Sequence, residues 1–267
     1  MSPLSRGTTG GGGILAETKV RQLKINILRY DPERDKSPHF QEFAVPAGRG
    51  TTVLDSLLHI KENLDSTLTF RASCRMGICG SCGVFINGFP YLACHTQLEE
   101  LHSGKLVIRP LPNMPVIKDL VVDLTSFFGA HKTIKPYLIR RDTEEVENPT
   151  AEFVQRPEQL EEILQFTTCI KCGLCIAACP TAASDKRYLG PQALAQCYRY
   201  CADNRDEGEK ERLPILDAGH GIWHCHLAGA CSEACPKGVD PALAIQLMKR
   251  RLISQALGFK GKKKRSP

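Results

Sequence analysis

From Val20 to Tyr30 apolar and polar residues alternate as a half-buried strand requires, and Phe40–Val45 has the pattern of its hairpin partner. Thr52 followed by Asp55 has the form of a capping box, opening a helix through Leu57, Leu58 and Ile60. Val84–Ile86 and Phe89–Leu92 flank Asn87-Gly88, a dipeptide suited to a tight hairpin turn, and Leu106–Ile108 reads as a last strand. These elements predict a small α+β domain over residues 18–112. A proline-punctuated connection with one helix, Val116–Phe128, is expected over 113–150. Beyond it the signals are helical: Glu158–Phe166, a helix opened by Pro191, and one opened by Asp240-Pro241 running to about Leu257. No strand pattern is evident over 151–258, which predicts an all-helical domain. Residues 1–17, with Gly10–Gly13 in a row, read as a flexible start, and 259–267 as a basic tail.

Composition changes this picture in one respect. The chain holds 13 cysteines in 267 residues, an odd count, with no charged leader and apolar core near Met1. That argues against a secreted disulfide scaffold and for metal-binding thiolates in a reducing compartment. No stretch approaches the ~18 apolar residues of a membrane span. Of the net charge of +6, five charges come from Lys260, Lys262, Lys263, Lys264 and Arg265. Such a run reads as a solvated tail, or as a contact for anionic lipid headgroups. No basic stripe with interleaved aromatics accompanies it, so nucleic-acid binding is not expected.

Cys74, Cys79, Cys82 and Cys94 have the spacing C-x4-C-x2-C-x11-C. The first three positions match the plant-type ferredoxin run that holds a 2Fe–2S cluster. Gly77, Gly80 and Gly83 lie among them, letting the backbone turn and bring amides close to cluster sulfur. The fourth cysteine is much nearer than in plant ferredoxins. Zinc is the competing occupant of four thiolates, and the glycine-rich loop argues against it.

Cys169, Cys172, Cys175 and Cys179-Pro180 reproduce the bacterial C-x2-C-x2-C-x3-C-P run, whose fourth cysteine serves the other cluster of a pair. Cys225, Cys231 and Cys235-Pro236 fill the first, third and fourth places of a second run, and Ala228 stands in the second. Crossover then assigns Cys169, Cys172, Cys175 and Cys235 to a 4Fe–4S cluster. Cys179, Cys225 and Cys231 remain, three thiolates that suit a 3Fe–4S cluster, with a 4Fe–4S cluster open at one iron as the alternative. Cys197 and Cys201, four apart on one helix face, are read as core packing.

The loop Ser73-Cys74-Arg75-Met76-Gly77-Ile78-Cys79-Gly80-Ser81-Cys82-Gly83, together with the two helical runs, resembles the iron–sulfur subunit of the succinate dehydrogenase and fumarate reductase family. Pro115–Asp123, Trp223-His224-Cys225 and Cys231–Pro241 add to the likeness, which covers roughly residues 18–258. The resemblance implies an α+β chain, a β-grasp 2Fe–2S ferredoxin domain followed by an all-helical two-cluster ferredoxin domain. It also implies a flavoprotein partner with covalent FAD and one or two membrane anchor subunits, often with haem b. Electrons would pass from the flavin through 2Fe–2S, 4Fe–4S and 3Fe–4S to a quinone, or the reverse. The subunit would lie peripherally on the cytoplasmic face of the inner membrane.

By the same resemblance Pro180, Thr181, His226 and Lys249 fall where the family approaches the quinone head. Ubiquinone-type members usually place tryptophans after Cys-Pro, where this chain has Thr181-Ala182-Ala183-Ser184. That favours menaquinone. Two other classes compete, a stand-alone ferredoxin and a subunit of another flavin oxidoreductase. The fused domains argue against the first, and the Cys74–Cys94 set with the Ala228 vacancy against the second.

Overall fold

The computed structural model describes residues 21–101 and 105–258. The expected flexible start, Val20 and the basic tail lie outside the described residues. Strands β1 (Arg21–Arg29) and β2 (His39–Ala47) pair antiparallel, Arg21 opposite Ala47 and Arg29 opposite His39. Leu23, Ile25, Ile27, Phe43 and Val45 turn to one buried face, the period-2 alternation of the sequence made physical. Helix α1 (Val53–Asn63) begins with the expected reciprocal cap: the Asp55 amide donates to Thr52 Oγ1 at 3.1 Å and the Thr52 amide to Asp55 Oδ2 at 2.9 Å. Such a cap is worth about 1 kcal/mol.

β3 (Gly83–Ile86) and β4 (Phe89–Leu92) form the expected hairpin, with Asn87 at φ 48° and Gly88 at φ 93°. β5 (Lys105–Arg109) runs parallel to β1 and antiparallel to β3, giving a five-stranded mixed sheet in the order β2-β1-β5-β3-β4. α1 shares the core of this sheet through Val53, Leu54, Leu57 and Ile60.

Val116–Phe128 is not one helix. It forms a two-stranded ribbon, β6 (Val116–Lys118) and β7 (Val121–Val122), before helix α2 (Thr125–Thr133). The β-branched run favours strands, and Asp119 turns between them at φ 45°. Its buried carboxylate accepts from Arg29 Nε and the Tyr30 amide, both at 3.0 Å, and from the Thr69 amide at 2.9 Å. The connection also holds a second short helix, α3 (Thr143–Glu147), whose Glu144 and Glu145 favour its first turn.

The expected helix Glu158–Phe166 is two pieces, α4 (Pro157–Glu161) and α5 (Leu164–Thr167). The Ile163 and Phe166 amides donate three residues back, to Leu160 and Ile163 carbonyls, a tightening that breaks the α pattern while burying both side chains. Short helices α6 (Leu174–Ala177), α7 (Pro180–Ser184) and α10 (Ala230–Glu233) alternate with longer ones, α8 (Pro191–Ala202), α9 (Glu209–Asp217) and α11 (Pro241–Ala256). A 3₁₀ turn, Ile222–His224, precedes Cys225. Asp240 caps α11, accepting from the Leu243 amide at 2.9 Å.

Two cores result. One runs from Leu23 to Val122 and takes in Leu174 and Ala177 from the helical half; the other gathers Ile134, Phe166 and the buried faces of α8 and α11. Asn113 Nδ2 joins the halves by donating to the carbonyls of Ile176 at 2.8 Å and Cys179 at 3.1 Å.

Candidate cluster sites

The loop from Cys74 to Cys82 contains no helix or strand, and its backbone is wound around sulfur instead. Arg75, Gly77 and Gly80 have φ of 56°, 68° and 74°. These turns aim the amides of Ile78 (3.3 Å) and Cys79 (3.2 Å) at Cys74 Sγ, and that of Gly77 (3.3 Å) at Cys94 Sγ. The Cys94 amide points at Cys82 Sγ at 3.4 Å. The Ser81 hydroxyl, then the backbone amides around it, lower the Cys79 thiol to about 6, while burial pushes Cys82 up to about 12. The four expected residues of the first set are thus brought together in a nest of donors suited to an anionic iron–sulfur centre.

Gly80 also touches the helical half. A Cβ there would lie 2.8 Å from Cys172 Cβ, so the first loop packs directly on the second cysteine run. That contact requires glycine.

Seven of the nine remaining cysteines divide between two hollows. One is lined by Cys169, Cys172, Cys175 and Cys235 with Gln192 and Lys171. The other is lined by Cys179, Cys225 and Cys231 with Ala228, Gly229 and Tyr188. The grouping is the crossed one: Cys235 joins the earlier run and Cys179 the later. Burial raises Cys169, lifts Cys172 and Cys231 to about 11 each, and pushes Cys175 well above the usual thiol range.

Thiols held neutral by desolvation become ligands only when a cation replaces the proton, so these walls suit a tightly bound metal centre rather than free thiolates. The Tyr188 hydroxyl adds a second sign of fit. It is buried on the wall of the second hollow with only the weakly accepting Cys225 thiol beside it, and a sulfur-rich anion there would supply a better acceptor.

Pro180, Thr181 and His226 line the second hollow, whereas Lys249 does not. Its ammonium lies 5.7 Å from the centre of the half-exposed Trp223 ring. Thr181 is 2% exposed, and its hydroxyl donates to the His224 carbonyl and accepts from the His226 amide, each at 3.4 Å. It therefore holds the backbone around Cys225. Cys197 and Cys201 face each other at 3.9 Å in the second core, away from both hollows. Tyr188 and Gln192 were not signalled by spacing; both fall around Gly190-Pro191, where α8 meets the hollows.

Comparison with known proteins finds an iron–sulfur domain in each half. A 2Fe-2S iron-sulfur cluster binding domain matches residues 24–129, and a 4Fe-4S dicluster domain matches 165–239. The fumarate reductase iron-sulfur subunit of Mycobacterium tuberculosis is 48% identical over 236 residues, covering 88% of this chain and 95% of the relative. The chain belongs to the succinate dehydrogenase and fumarate reductase iron–sulfur subunits. The Haemophilus influenzae fumarate reductase iron-sulfur subunit is 45% identical, covering 84% of this chain and 90% of its own. The Paracoccus denitrificans succinate dehydrogenase iron-sulfur subunit is 41% identical, covering 89% and 90%. A solved structure of the Mycobacterium smegmatis Sdh1 complex in the apo form shares the fold, with a TM-score of 0.77 at 22% identity over 89% of this chain and 98% of the other. As a member of this family the chain is an electron-transfer subunit of an oxidoreductase complex, with 2Fe–2S and 4Fe–4S domains. Among the described residues no helix is long and apolar enough to cross a membrane.

Proposed function

We propose that this subunit relays electrons between a covalent FAD on a partner flavoprotein and a membrane quinone, in succinate oxidation. The ligand sets are Cys74, Cys79, Cys82 and Cys94 for 2Fe–2S; Cys169, Cys172, Cys175 and Cys235 for 4Fe–4S; and Cys179, Cys225 and Cys231 for 3Fe–4S. The observation that carries this reading is the crossed grouping of cysteines in two adjacent hollows, with Ala228 on the wall of the three-thiol one. The clusters supply one-electron centres in series when bound.

The chain's own residues do the rest. The loop amides stabilise negative charge at the first site, apolar walls keep water from the other two, and Gly80 lets the first loop lie against Cys172. Pro180 and His226 form the quinone-facing rim, with Thr181 holding His226 in place and Lys249 approaching from α11. An imidazole on that rim can hydrogen-bond a quinone carbonyl and pass it a proton. The complex is completed by one or two membrane anchor subunits, with haem b in some arrangements, on the cytoplasmic face of the inner membrane. Menaquinone is favoured by the absence of tryptophan after Cys179-Pro180.

Fumarate reduction is the second reading, favoured by the relatives at 48% and 45% identity named for that activity. Low-temperature EPR of the air-oxidised complex tests the three-cluster chain. A sharp signal when oxidised, lost on adding succinate as a reduced 2Fe–2S signal grows, is expected; silence when oxidised would refute the 3Fe–4S assignment. Succinate oxidation and fumarate reduction rates with matched quinones then separate the two directions.

A further inference from the structure

Beside the three-thiol hollow lies a second group of metal-ligating side chains that the cluster assignment leaves unused. Asp185 caps the end of α7, just after Cys179-Pro180, while His220 precedes and His224 closes the 3₁₀ turn that leads into Cys225. The three donor atoms lie within 4.8 Å of one another. Asp185 Oδ1 accepts the Arg187 amide at 2.9 Å, which turns Oδ2 towards the imidazoles. Oδ2 stands 2.7 Å from His220 Nδ1 and 3.2 Å from His224 Nδ1.

The backbone holds this arrangement from both sides. The His220 carbonyl accepts the Leu189 amide at 3.1 Å, and the His224 carbonyl accepts the Thr181 hydroxyl at 3.4 Å. The ring centres of the two histidines are 5.4 Å apart.

We propose that Asp185, His220 and His224 form a binding site for a divalent transition-metal ion of the zinc type, with solvent as the remaining ligand. Two imidazole nitrogens and one carboxylate oxygen are a donor set that zinc accepts at about 2.0–2.2 Å. Imidazole selects zinc, copper or nickel over calcium and magnesium, which require oxygen. Two imidazoles converging on one carboxylate oxygen is the arrangement left when protons stand in for such a cation, and a small opening of the group admits the ion. His224 is exposed and Asp185 and His220 half-buried, which provides an entry path and room for water. A bound ion would bridge the segment after Cys179 to the segment before Cys225, bracing the hollow between them.

The test uses the purified, cluster-loaded complex, freed of loosely bound metal and titrated with zinc chloride by calorimetry. Wild type is expected to bind one equivalent per subunit with an affinity at least 100-fold above that of His220→Ala and Asp185→Asn. Its unfolding temperature should rise with zinc, as binding to the folded state requires, while those of the variants do not. Iron and flavin contents matching wild type show that the variants are assembled. No stoichiometric binding by wild type, or equal affinity in the variants, would overturn the proposal.

Discussion

The two halves of this subunit hold sulfur with a different balance of backbone donors and burial. In the sheet half, cysteines sit on an irregular loop and the backbone itself supplies hydrogen-bond donors to them. In the helical half, cysteines sit at the ends of short helices and line hollows walled by apolar side chains, where burial raises their thiols. Donors dominate in the first half, with Cys82 the buried exception; burial dominates in the second, which relies more on the metal centre to neutralise what burial makes costly. Metal binding there therefore adds folding energy to that of the helical core, whereas the first loop lies on a core that the sheet largely builds itself. Cys175→Ser should accordingly lose the 4Fe–4S centre and lower helicity, leaving the reduced 2Fe–2S EPR signal in place. Parallel loss of the 2Fe–2S signal would show that the halves fold as one unit.

Each half pins one end of the connection with a buried arginine. Arg29 grips Asp119 in the ribbon, with Asp65 at 2.6 Å on its other side. Arg212, wholly buried, pairs with Asp206 at 2.7 Å and donates to the carbonyls of Ile134 (3.0 Å), Lys135 (3.0 Å) and Tyr137 (2.7 Å). Arg212→Met leaves a buried carboxylate unpaired and should cost about 3–5 kcal/mol. Arg29→Met should cost somewhat less: Asp119 and Asp206 each keep two backbone amides, but Arg212 also serves three backbone carbonyls, whereas the other partners of Arg29, Gln41, Asp65 and Thr67, reach solvent. Chemical denaturation of the two variants checks the order, and a larger loss for Arg29→Met would reverse the comparison.

The seam between the halves is sharpened by two glycines with similar backbones. Gly80 and Gly238 have φ of 74° and 66°, so alanine strains both by about 1–2 kcal/mol. A Cβ at Gly238 meets nothing within 4 Å, whereas at Gly80 it meets Cys172. Gly80→Ala should lower the unfolding temperature more than Gly238→Ala and slow electron transfer between the first two centres. Equal effects in both measurements would mean that the loop yields freely.

The features readable from the chain were those set by near neighbours. Alternation located β1 and β2, the Thr52–Asp55 pair marked the start of α1, Asn87-Gly88 specified a turn, and cysteine spacing predicted which thiols share a hollow. What was not readable depends on partners far along the chain. The β6–β7 ribbon forms around Asp119, whose donors come from residues 29, 30 and 69. Helix α9 carries Pro214 inside it and is held through Arg212 to carbonyls in the connection. The Asp185, His220 and His224 group unites two segments about 35 residues apart, and no spacing rule anticipates it.

Tyr188 gives the finest comparison, because its hydroxyl acts with opposite sign in the empty and loaded states. Without a cluster it is a buried donor with only the Cys225 thiol, a weak acceptor, beside it, which is destabilising. Beside the proposed anionic cluster it would donate to sulfur, and that donation would favour the reduced, more negative state, as the amides of the first loop would for theirs. Tyr188→Phe keeps the ring and removes only the donor. The 3Fe–4S midpoint potential should therefore fall by up to about 59 mV, a tenfold shift in the ratio of oxidised to reduced forms for one electron. The 2Fe–2S potential should not move. EPR-monitored redox titration reads both centres in one sample, and an unchanged 3Fe–4S potential would mean that the hydroxyl does not reach the cluster.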